Sequence, residues 1–448
     1  MGEWHAVILA GGNGSRMGGD LPKVLNPICG VPMIRLMSDA IRKAGITDTV
    51  VVVPDEHEDI RAVLPEDTQF AIQHSRLGTG DAVLRSLDLI DKGTDTNIVV
   101  VNADVPLLKA STIRSLLEVH LSSKAVMSLV TATGSFSESL GSISRDDDEC
   151  VISITEGDRL SETVKHHEIN VGLYCFRVDW LVQNILKLKP AESGEFYVTD
   201  LVELARRGKE KVADLKLEDK TEAVGVNTLS ELADADELLR ARIRNYWIDR
   251  GVYMMDRRSV HIDWNVTIGS GTSILPNTII LGEASIGGDC EIGPGSFIRN
   301  SHIGSHCKIM SSVIEEAIIE NSVDIGPFSH LRGGAYVEAG VHIGNYAEVK
   351  ASRIGQGTKM GHFSYMGDAD VGSNVNIGAG TVTCNFDGDQ KYRTIIGNNV
   401  FLGSDTMLVA PVEIGDRSRT GAGAVVTKDV PEDVLVAGIP ARIVPKSD

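Results

Sequence analysis

Glycines and cations cluster near the amino terminus of the chain, directly after a short apolar run. Gly11, Gly12 and Gly14 let the backbone approach a phosphate closely, and the N–H groups of such a loop bind anions. Arg16 and Lys23 add two positive charges to the same segment. Glycines spaced in this way are equally typical of a plain strand-to-helix turn, but with the two cations they predict a site for a phosphorylated ligand.

A carboxylate follows another apolar run further along the chain. The segment 102–106, which contains Asp104, follows residues 98–101, and their apolar pattern predicts a buried strand. An aspartate at this place either contributes to a ligand site or caps the next helix, and by itself the cap is the commoner role.

The elements that must position these residues alternate between strand-like and helix-like segments. Residues 6–10, 50–53 and 98–101 are continuous apolar runs, which suit strands of a parallel sheet buried on both faces. Amphipathic segments at 33–44 and 81–90 lie between them. The rhythm predicts a doubly wound, Rossmann-like α/β domain, whose ligands bind beyond the carboxyl ends of the strands.

The pattern changes after residue 227. Thr228 and Glu231 have the spacing of a capping box, and an apolar residue then recurs every four positions, which predicts a linker helix over 228–250. From 251 onward aliphatic residues recur every six positions, often followed by glycine. This period predicts a parallel β-helix of roughly ten coils of about 18 residues each. The polar stretch 385–393 breaks the period and predicts a loop that leaves the coil.

Composition excludes several classes of function. The chain has 448 residues and a formal net charge of −19, which argues against general binding of nucleic acid. We find no secretory signal and no long apolar stretch, so neither export nor a membrane span is expected. The six cysteines form no C-x-x-C pair, so free thiols in a cytoplasmic protein are expected. The 46 glycines and the aromatic content of 5% fit close turns around thin aliphatic cores.

The glycine-rich segment and the Pro22-Lys23 pair resemble the L-x-x-G-x-G-[ST]-R-M…P-K signature of sugar nucleotidyltransferases. Residues 73, 78–80, 102–106, 194–200 and 225–227 match that family in the same order. The resemblance implies that Asp104 and Asn227 hold Mg²⁺, which prefers oxygen ligands completed by phosphates and water. It also implies that Arg16 and Lys23 act in catalysis by neutralising developing charge. The implied nucleotide and sugar-1-phosphate contacts are Leu9, Ala10, Gly11, Gly12, Gln73, Gly78, Thr79, Asn102, Asp104, Gly141, Glu156, Asn170 and Asn227.

Residues 330–334, 348–350, 361–365 and 374–380 match the hexapeptide acyltransferases, whose fold is a left-handed parallel β-helix. In this resemblance His362 is the general base that takes a proton from a sugar amine, a task that suits imidazole near neutral pH. Without that context a lone histidine on a coil would be structural. The implied contacts of the acetyl acceptor are Arg332, Lys350, Tyr365 and Asn376, and those of acetyl-CoA are Ala379, Asn385, Phe386, Ser404, Ala422 and Arg442.

Nearly the whole chain resembles, in the same domain order, the bacterial family of bifunctional N-acetylglucosamine-1-phosphate uridyltransferases and glucosamine-1-phosphate N-acetyltransferases. The implied domains are 1–227 for uridylyl transfer, 228–250 for the linker helix and 251–448 for acetyl transfer. UTP and acetyl-CoA are the implied co-substrates, Mg²⁺ is the implied cofactor, and a homotrimer with acetyl sites between chains is the implied assembly.

Three positions differ from the family pattern in the first domain. Ala103 adds a methyl group where the family has a glycine that allows close approach, Ser142 takes the place of an arginine, and Asp158 takes the place of a lysine. Two alternatives therefore stay open. One is the same pair of chemistries on another amino sugar or nucleotide, and the other is a regulatory subunit with a non-catalytic nucleotidyl domain.

Overall fold

The computed structural model describes residues 3–12, 17, 21–93, 95–134, 141–156 and 168–445. They form two compact units, one that ends at Leu239 and one that begins at Arg240. The helix predicted for 228–250 is present as Leu229–Ile248. Its capping box is formed, because the amide of Glu231 donates to Thr228 Oγ1 at 3.2 Å and the amide of Thr228 donates to Glu231 Oε2 at 2.9 Å.

The predicted strands and helices of the first unit are present with small changes at their ends. The strands are β1 (Trp4–Leu9), β2 (Pro27–Ile28), β3 (Val31–Pro32), β4 (Thr49–Val53), β5 (Gln69–Ile72), β6 (Asn97–Asn102), β7 (Met127–Thr133), β8 (Ser142–Arg145), β9 (Val151–Thr155), β10 (Glu168–Arg177) and β11 (Val212–Lys216). The α-helices are α1 (Met33–Lys43), α2 (Glu58–Ala62), α3 (Thr79–Ser86), α4 (Ala110–Ser123), α5 (Val178–Asn184) and α6 (Leu201–Arg207). The boundary between the two units lies inside the next helix, α7 (Leu229–Ile248). Short 3-10 helices lie at Lys23–Leu25, Leu87–Leu89, Ile185–Lys187, Val198–Asp200 and Lys220–Ala223.

Nine of the described strands form one sheet, with the order β11-β7-β10-β6-β1-β4-β5; β8 pairs with β10, and β9 pairs with β8. Strands β1, β4 and β6 are parallel, as predicted, and β5 is parallel to β4. Strand β10 runs antiparallel between β6 and β7, so the sheet is mixed. The apolar runs could not reveal this, because a strand buried on both faces has the same pattern in either direction.

Alternate residues of each central strand pack on opposite faces of the sheet. Ile8, Val51 and Val99 belong to the apolar core that contains α1 and α4, whereas Val7 and Val50 belong to the core that contains α3, α5 and α6. Since both faces are covered, only the strand ends leave room for a ligand.

A buried histidine links the stability of this unit to pH. His120 on α4 lies against Trp4, with ring centroids 5.8 Å apart, and its Nδ1 contacts Ser128 Oγ at 2.8 Å. Burial, and then the charge of Arg177, lower the pKa of His120 to about 4.

We predict that the free energy of unfolding falls as the pH decreases from about 6.5 to about 4. In this window the unfolded chain binds a proton at His120 and the folded chain does not, which costs about 1.4 kcal/mol per pH unit. Urea unfolding of wild type and His120→Gln between pH 7 and pH 4 measures this contribution as the difference between the two pH slopes. Equal slopes would contradict it.

The second unit is a parallel β-helix with three flat faces, as the six-residue period predicted. The first face contains Tyr253–Met254, Ser273–Ile274, Glu291–Ile292, Lys308–Ile309, Asp324–Ile325, His342–Asn345, Lys359–His362, Asn376–Ile377, Phe401–Leu402, Arg419–Thr420, Leu435–Ala437 and Arg442–Ile443. The second contains His261–Ile262, Ile279–Leu281, Phe297–Arg299, Val313–Glu315, His330–Leu331, Glu348–Lys350, Tyr365–Gly367, Val382–Cys384, Met407–Val409 and Val425–Val426. The third contains Thr267–Ile268, Ser285–Ile286, His302–Ile303, Ile318–Ile319, Tyr336–Val337, Arg353–Ile354, Ala369–Val371, Thr394–Ile396 and Val412–Ile414. A 3-10 helix, Arg257–Ser259, lies near the start of the coil.

Successive coils pair in register, and their aliphatic residues stack inside. Ile292, Ile309, Ile325 and Ile343 on the first face are completely buried. The glycine after the aliphatic residue allows coils to approach, since a Cβ added to Gly355 would lie 2.5 Å from the carbonyl carbon in the next coil. The final pair of strands, Leu435–Ala437 and Arg442–Ile443, is antiparallel.

The predicted loop at 385–393 leaves the coil between Val382–Cys384 and Thr394–Ile396. Residues 386–391 are exposed, and the amide of Tyr392 donates to the carbonyl of Asn385 at 2.8 Å across the base of the loop.

All six cysteines are free. Within the described ranges, no helix combines the length and the apolar character needed to cross a membrane.

Candidate active sites

A cleft of about 360 Å³ opens beyond the carboxyl ends of β1, β5 and β6. Nine of the residues predicted for the nucleotide site line it, namely Leu9, Gly11, Gly12, Lys23, Gln73, Gly78, Thr79, Asn102 and Asp104. Sequence reasoning did not assign four further lining residues, which are Val24, Arg76, Ala82 and Glu195. Ala10 is buried in the core, so it has only its backbone to offer a ligand. Arg16 lies outside the described residues.

Lys23 joins the two residues predicted to hold a metal ion. Its Nζ donates to Asp104 Oδ2 at 2.7 Å and to Asn227 Oδ1 at 2.6 Å. The amide of Val226 donates to the carbonyl of Asp104 at 2.8 Å, which ties the two segments together. A buried ammonium requires such partners. Because a carboxylate and an amide oxygen converge on one cation, this donor set also fits Mg²⁺.

The side chain of Gln73 has a defined orientation in the cleft. Its Nε2 donates to the carbonyl of Gly78 at 3.0 Å and to Asp81 Oδ2 at 2.9 Å. Its Oε1 faces Gly11, where an added Cβ would lie only 2.8 Å away. The amide group therefore offers an acceptor, and not a donor, to a ligand.

The two motifs 78–80 and 194–200 pair with each other. The amide of Gly80 donates to the carbonyl of Phe196 at 2.7 Å, and the amide of Val198 donates to Thr79 Oγ1 at 3.0 Å. Gly78 has φ +93°, and a Cβ there would lie 2.5 Å from the carbonyl oxygen of Phe196. A glycine is therefore required where the two segments meet.

The predicted sugar contacts in the first unit lie close together: Gly141 precedes β8, Glu156 follows β9, and Asn170 lies on β10. The amide of Asn170 donates to the carbonyl of Gly141 at 2.8 Å, and Thr199 Oγ1 donates to Glu156 Oε1 at 2.6 Å. Asn170 Nδ2 donates to the hydroxyl of Tyr174 at 2.6 Å. Burial, and then the charge of Glu156, raise the pKa of Tyr174 above its usual range, and the charge of Asp104 adds to this shift. Tyr174 therefore stays a neutral phenol. The sequence did not mark it as a site residue, because it lies within a strand of mostly apolar residues.

Ala103 and Ser142, two of the three residues that depart from the family pattern, lie in different surroundings. The methyl group of Ala103 is 1% exposed and packs in the core, so the expectation that it would occupy space beside the ligand is wrong. Asn102 and Asp104 face the cleft and the residue between them faces the opposite side, as alternation in an extended chain requires. Ser142 lies on β8 and pairs with Ile169. Asp158 lies outside the described residues.

In the second unit, one corner of the coil collects His362 and three predicted acetyl-CoA contacts. The register pairs Met360 with Ile377, Ile377 with Leu402, and Phe401 with Arg419. Continued along the strands, it aligns four residues in one column, and these are His362, Ala379, Ser404 and Ala422. Arg442 pairs with Ala437, whose Cβ would lie 3.0 Å from a Cβ added to Gly421, so it lies at the far end of this column.

The imidazole of His362 is exposed and has one protein partner that defines its tautomer. Its Nδ1 contacts Asn345 Oδ1 in the preceding coil at 2.5 Å. Since an amide oxygen only accepts hydrogen bonds, Nδ1 carries the proton and Nε2 presents a lone pair. This is the state that a general base requires. Asn345 was not predicted, because it is separated from His362 by one full coil of sequence.

The acceptor contacts Arg332, Lys350 and Tyr365 meet on the second face. Arg332 Nη1 donates to Glu348 Oε1 at 2.8 Å, and Glu348 pairs in register with Tyr365. Lys350 Nζ lies 3.9 Å from Asp368 Oδ2.

The exposed loop contributes residues to the same face. Asn385 Nδ2 donates to Asp368 Oδ2. Contact with the Lys350 ammonium, through hydrogen bonding and charge repulsion, holds the pKa of Lys391 below its usual value, while Asp368 opposes this shift. Sequence reasoning missed Lys391, because it lies where the period is broken. Phe386, a predicted acetyl-CoA contact, is 57% exposed in this loop.

Asn376 is separated from the other acceptor contacts. It is an exposed residue of Asn376–Ile377 on the first face, whereas Arg332, Lys350 and Tyr365 lie on the second face. His362 lies at the corner between these faces. Within one chain, the four predicted contacts of the acetyl acceptor are therefore divided between two faces.

Comparison with known proteins finds matches for both halves of the chain. Residues 6–171 match the family described as MobA-like NTP transferase domain, and residues 265–300 and 393–428 match bacterial transferase hexapeptide (six repeats). The Bifunctional protein GlmU of Desulfitobacterium hafniense is 37% identical over 436 residues, which cover 97% of this chain and 96% of the relative. The protein of the same name from Carboxydothermus hydrogenoformans is 39% identical over 434 residues, 96% of each chain. That from Listeria monocytogenes is 38% identical over 437 residues, 97% of this chain and 95% of the relative.

Identity at this level along almost the full length of both chains, in addition to the two domain matches, shows that the chain belongs to the GlmU family of bifunctional transferases.

Proposed function

We propose that the chain acetylates glucosamine-1-phosphate with acetyl-CoA, and then transfers a uridylyl group from UTP to the resulting N-acetylglucosamine-1-phosphate. The observation that carries this proposal is the presence of two chemically different clusters on different units. Lys23, Asp104 and Asn227 form one, and His362 and Asn345 form the other. An intact first cluster also argues against a regulatory subunit.

In uridylyl transfer, an oxygen of the sugar phosphate attacks the α-phosphorus of UTP, and pyrophosphate leaves in line. The backbone N–H groups of Gly11 and Gly12 and the ammonium of Lys23 bind the anions and hold them against their mutual repulsion. Asp104 and Asn227 would hold Mg²⁺, which neutralises phosphate charge. Gln73 Oε1 is an acceptor suited to the N3–H of uracil, whereas N3 of cytosine is itself an acceptor.

In acetyl transfer, the sugar amine attacks the thioester carbonyl carbon and His362 Nε2 takes the amine proton. The carbon–sulfur bond then breaks, and the departing thiolate receives that proton. Arg332 and Lys350, with Lys391 beside them, supply the positive charge for the sugar phosphate. The six free thiols favour a reducing compartment, so we place both reactions in the cytoplasm.

Product analysis with each half-reaction supplied separately tests this function. Glucosamine-1-phosphate with acetyl-CoA should yield N-acetylglucosamine-1-phosphate and free CoA. N-acetylglucosamine-1-phosphate with UTP and Mg²⁺ should yield UDP-N-acetylglucosamine and pyrophosphate. Galactosamine-1-phosphate and CTP, run in parallel, examine the choice of sugar and nucleotide. Absence of any acetylated sugar phosphate would reject the proposal.

The position of Asn376 supports the proposal that the chain works as a homotrimer with shared acetyl sites. If Asn376 serves the site of a neighbouring copy, a mixture of His362→Ala and Asn376→Ala chains contains sites with both wild-type residues. With random mixing of co-expressed chains, about a quarter of the sites are complete, so about a quarter of wild-type acetyl transfer should return. Activity no higher than that of the separate variants would place both residues in a site within one chain.

A further inference from the structure

Three exposed aromatic side chains stack on one another along the corner that carries His362. Phe328 and Tyr346 have ring centroids 5.4 Å apart with an interplanar angle of 25°, and Tyr346 and Phe363 are 5.2 Å apart at 11°. We call these three residues the aromatic ladder. In the single chain these side chains are 57%, 53% and 60% exposed, so burial within one chain does not explain why they are aromatic.

The backbone of the aromatic ladder is in the left-handed region, which bulky residues rarely adopt. Phe328, Tyr346 and Phe363 have φ values of +61°, +56° and +45°. The same corner in the next coils is formed by Gly380 and Asp405, at +75° and +56°. In these five coils the residue at this corner has the left-handed conformation. Glycine or aspartate adopts that conformation with less strain than an aromatic residue does. The aromatic rings must therefore contribute something beyond the turn.

Two members of the aromatic ladder directly follow the two residues whose contact defines the tautomer of His362. Tyr346 follows Asn345, and Phe363 follows His362. The amide of Phe363 donates to the carbonyl of Asn345 at 3.1 Å, while His362 Nδ1 contacts the Asn345 side chain at 2.5 Å. Asn345 thus contacts both the imidazole of His362 and the backbone amide of Phe363.

The residues on the other side of His362 offer no side-chain support. Gly344 and Gly361 precede Asn345 and His362, and a Cβ added to Gly361 would meet nothing within 4 Å. A Cβ added to Gly344 would lie 1.9 Å from the carbonyl oxygen of Gly361, so the close backbones exclude a side chain there. Ser364 Oγ donates to the carbonyl of His362 at 2.8 Å, and the ring packing at this corner comes from Tyr346 and Phe363.

We infer that the stacked rings of Tyr346 and Phe363 position His362 for catalysis. They hold two consecutive corners at a constant separation, which keeps Asn345 Oδ1 in reach of Nδ1 and keeps Nε2 directed to the sugar amine. In this inference the rings act through Asn345 and His362 and not on the sugar or the thioester, so they are positioning residues. This inference rests on the proposed acetyl transfer.

Kinetic analysis of acetyl transfer by the full chain tests the role of these rings. Tyr346→Ala and Phe363→Ala should each lower kcat about 10-fold and change the KM for glucosamine-1-phosphate less than about 2-fold, because misplacement of a catalytic group affects the chemical step. Tyr346→Phe keeps the ring and should restore kcat to within about 2-fold of wild type. Phe328→Ala is the matched control, because it removes an equivalent ring that lies one coil from Asn345 and two coils from His362. Its kcat should also stay within about 2-fold of wild type.

Several results would overturn the inference. These are equal losses of kcat in all three alanine variants, a loss confined to KM, a loss in Tyr346→Phe, or a change in oligomeric mass that accompanies the loss. If Tyr346→Ala does not fold by thermal melting, Tyr346→Leu, which fills the space without a planar ring, replaces it with the same expectation. If wild type itself does not acetylate glucosamine-1-phosphate, the proposed function fails. If wild type is active and Tyr346→Ala matches it, only the positioning role fails.

Discussion

Replacement of His362 with alanine should lower acetyl transfer to glucosamine-1-phosphate by about 10²–10⁴-fold, the contribution typical of a general base. The sugar amine must lose a proton as it attacks the thioester. Nε2 of His362 can accept that proton, because the hydrogen bond to Asn345 keeps the imidazole proton on Nδ1. Alanine leaves the backbone of the corner intact but removes the proton acceptor. Release of free CoA thiol from acetyl-CoA, followed continuously, measures the rate.

Two controls separate loss of the base from loss of the fold. Uridylyl transfer by the same preparation should be unchanged, because its cluster lies on the first unit. His342→Ala removes a partly exposed histidine of the first face, whose Nδ1 contacts Asp324 Oδ2 at 2.9 Å, and should leave acetyl transfer within about 2-fold of wild type. Joint loss of both activities in a folded His362→Ala protein would contradict two separate sites.

Replacement of Asp104 with asparagine should lower pyrophosphate release from UTP by about 10²–10³-fold, the range observed when one charge-stabilising group is removed from an active site. The substitution keeps the size of the side chain but removes its negative charge. Lys23 then loses its ion pair at 2.7 Å, and the donor set formed with Asn227 loses the charge that attracts a divalent cation. Rates measured across a Mg²⁺ titration should show a weaker apparent affinity for the ion.

The matched control for this change is Asp88→Asn, which removes an exposed aspartate that lies 3.7 Å from Lys92 on the surface of the same unit. Both uridylyl and acetyl transfer should be unaffected in that variant. Asp104→Asn should also retain acetyl transfer in the same assay. An unchanged rate of pyrophosphate release in Asp104→Asn would mean that this carboxylate does not serve the reaction.

Local spacing was sufficient to predict most of the architecture. The six-residue period predicted the β-helix because each coil face is short and repeats a single inward aliphatic residue. The period also marked residues 385–393 as a loop, since polar residues cannot continue a buried ladder. Thr228 and Glu231 predicted the start of α7 because a capping box requires only two residues three positions apart. In each case the sequence signal is a short pattern of residues only a few positions apart.

Features that depend on distant neighbours were not accessible in this way. The antiparallel direction of β10 was invisible, because burial on both faces leaves the same apolar pattern in either direction. The methyl group of Ala103 was expected beside the ligand, but the alternation of the extended chain turns it into the core. Tyr174, Asn345 and Lys391 join the sites through contacts with other strands or coils, and no local motif marks them.

The sequence by itself determined the two kinds of fold, their order, and the segments that reach the first cleft, because hydrophobic period and turn residues act locally. Only the tertiary structure decided which side chains meet. It brought Lys23 to both Asp104 and Asn227, aligned His362 with Ala379, Ser404 and Ala422, and placed Asn376 on a different face from Tyr365. These relations follow from strand order and coil register, which are set by packing between segments far apart in the chain.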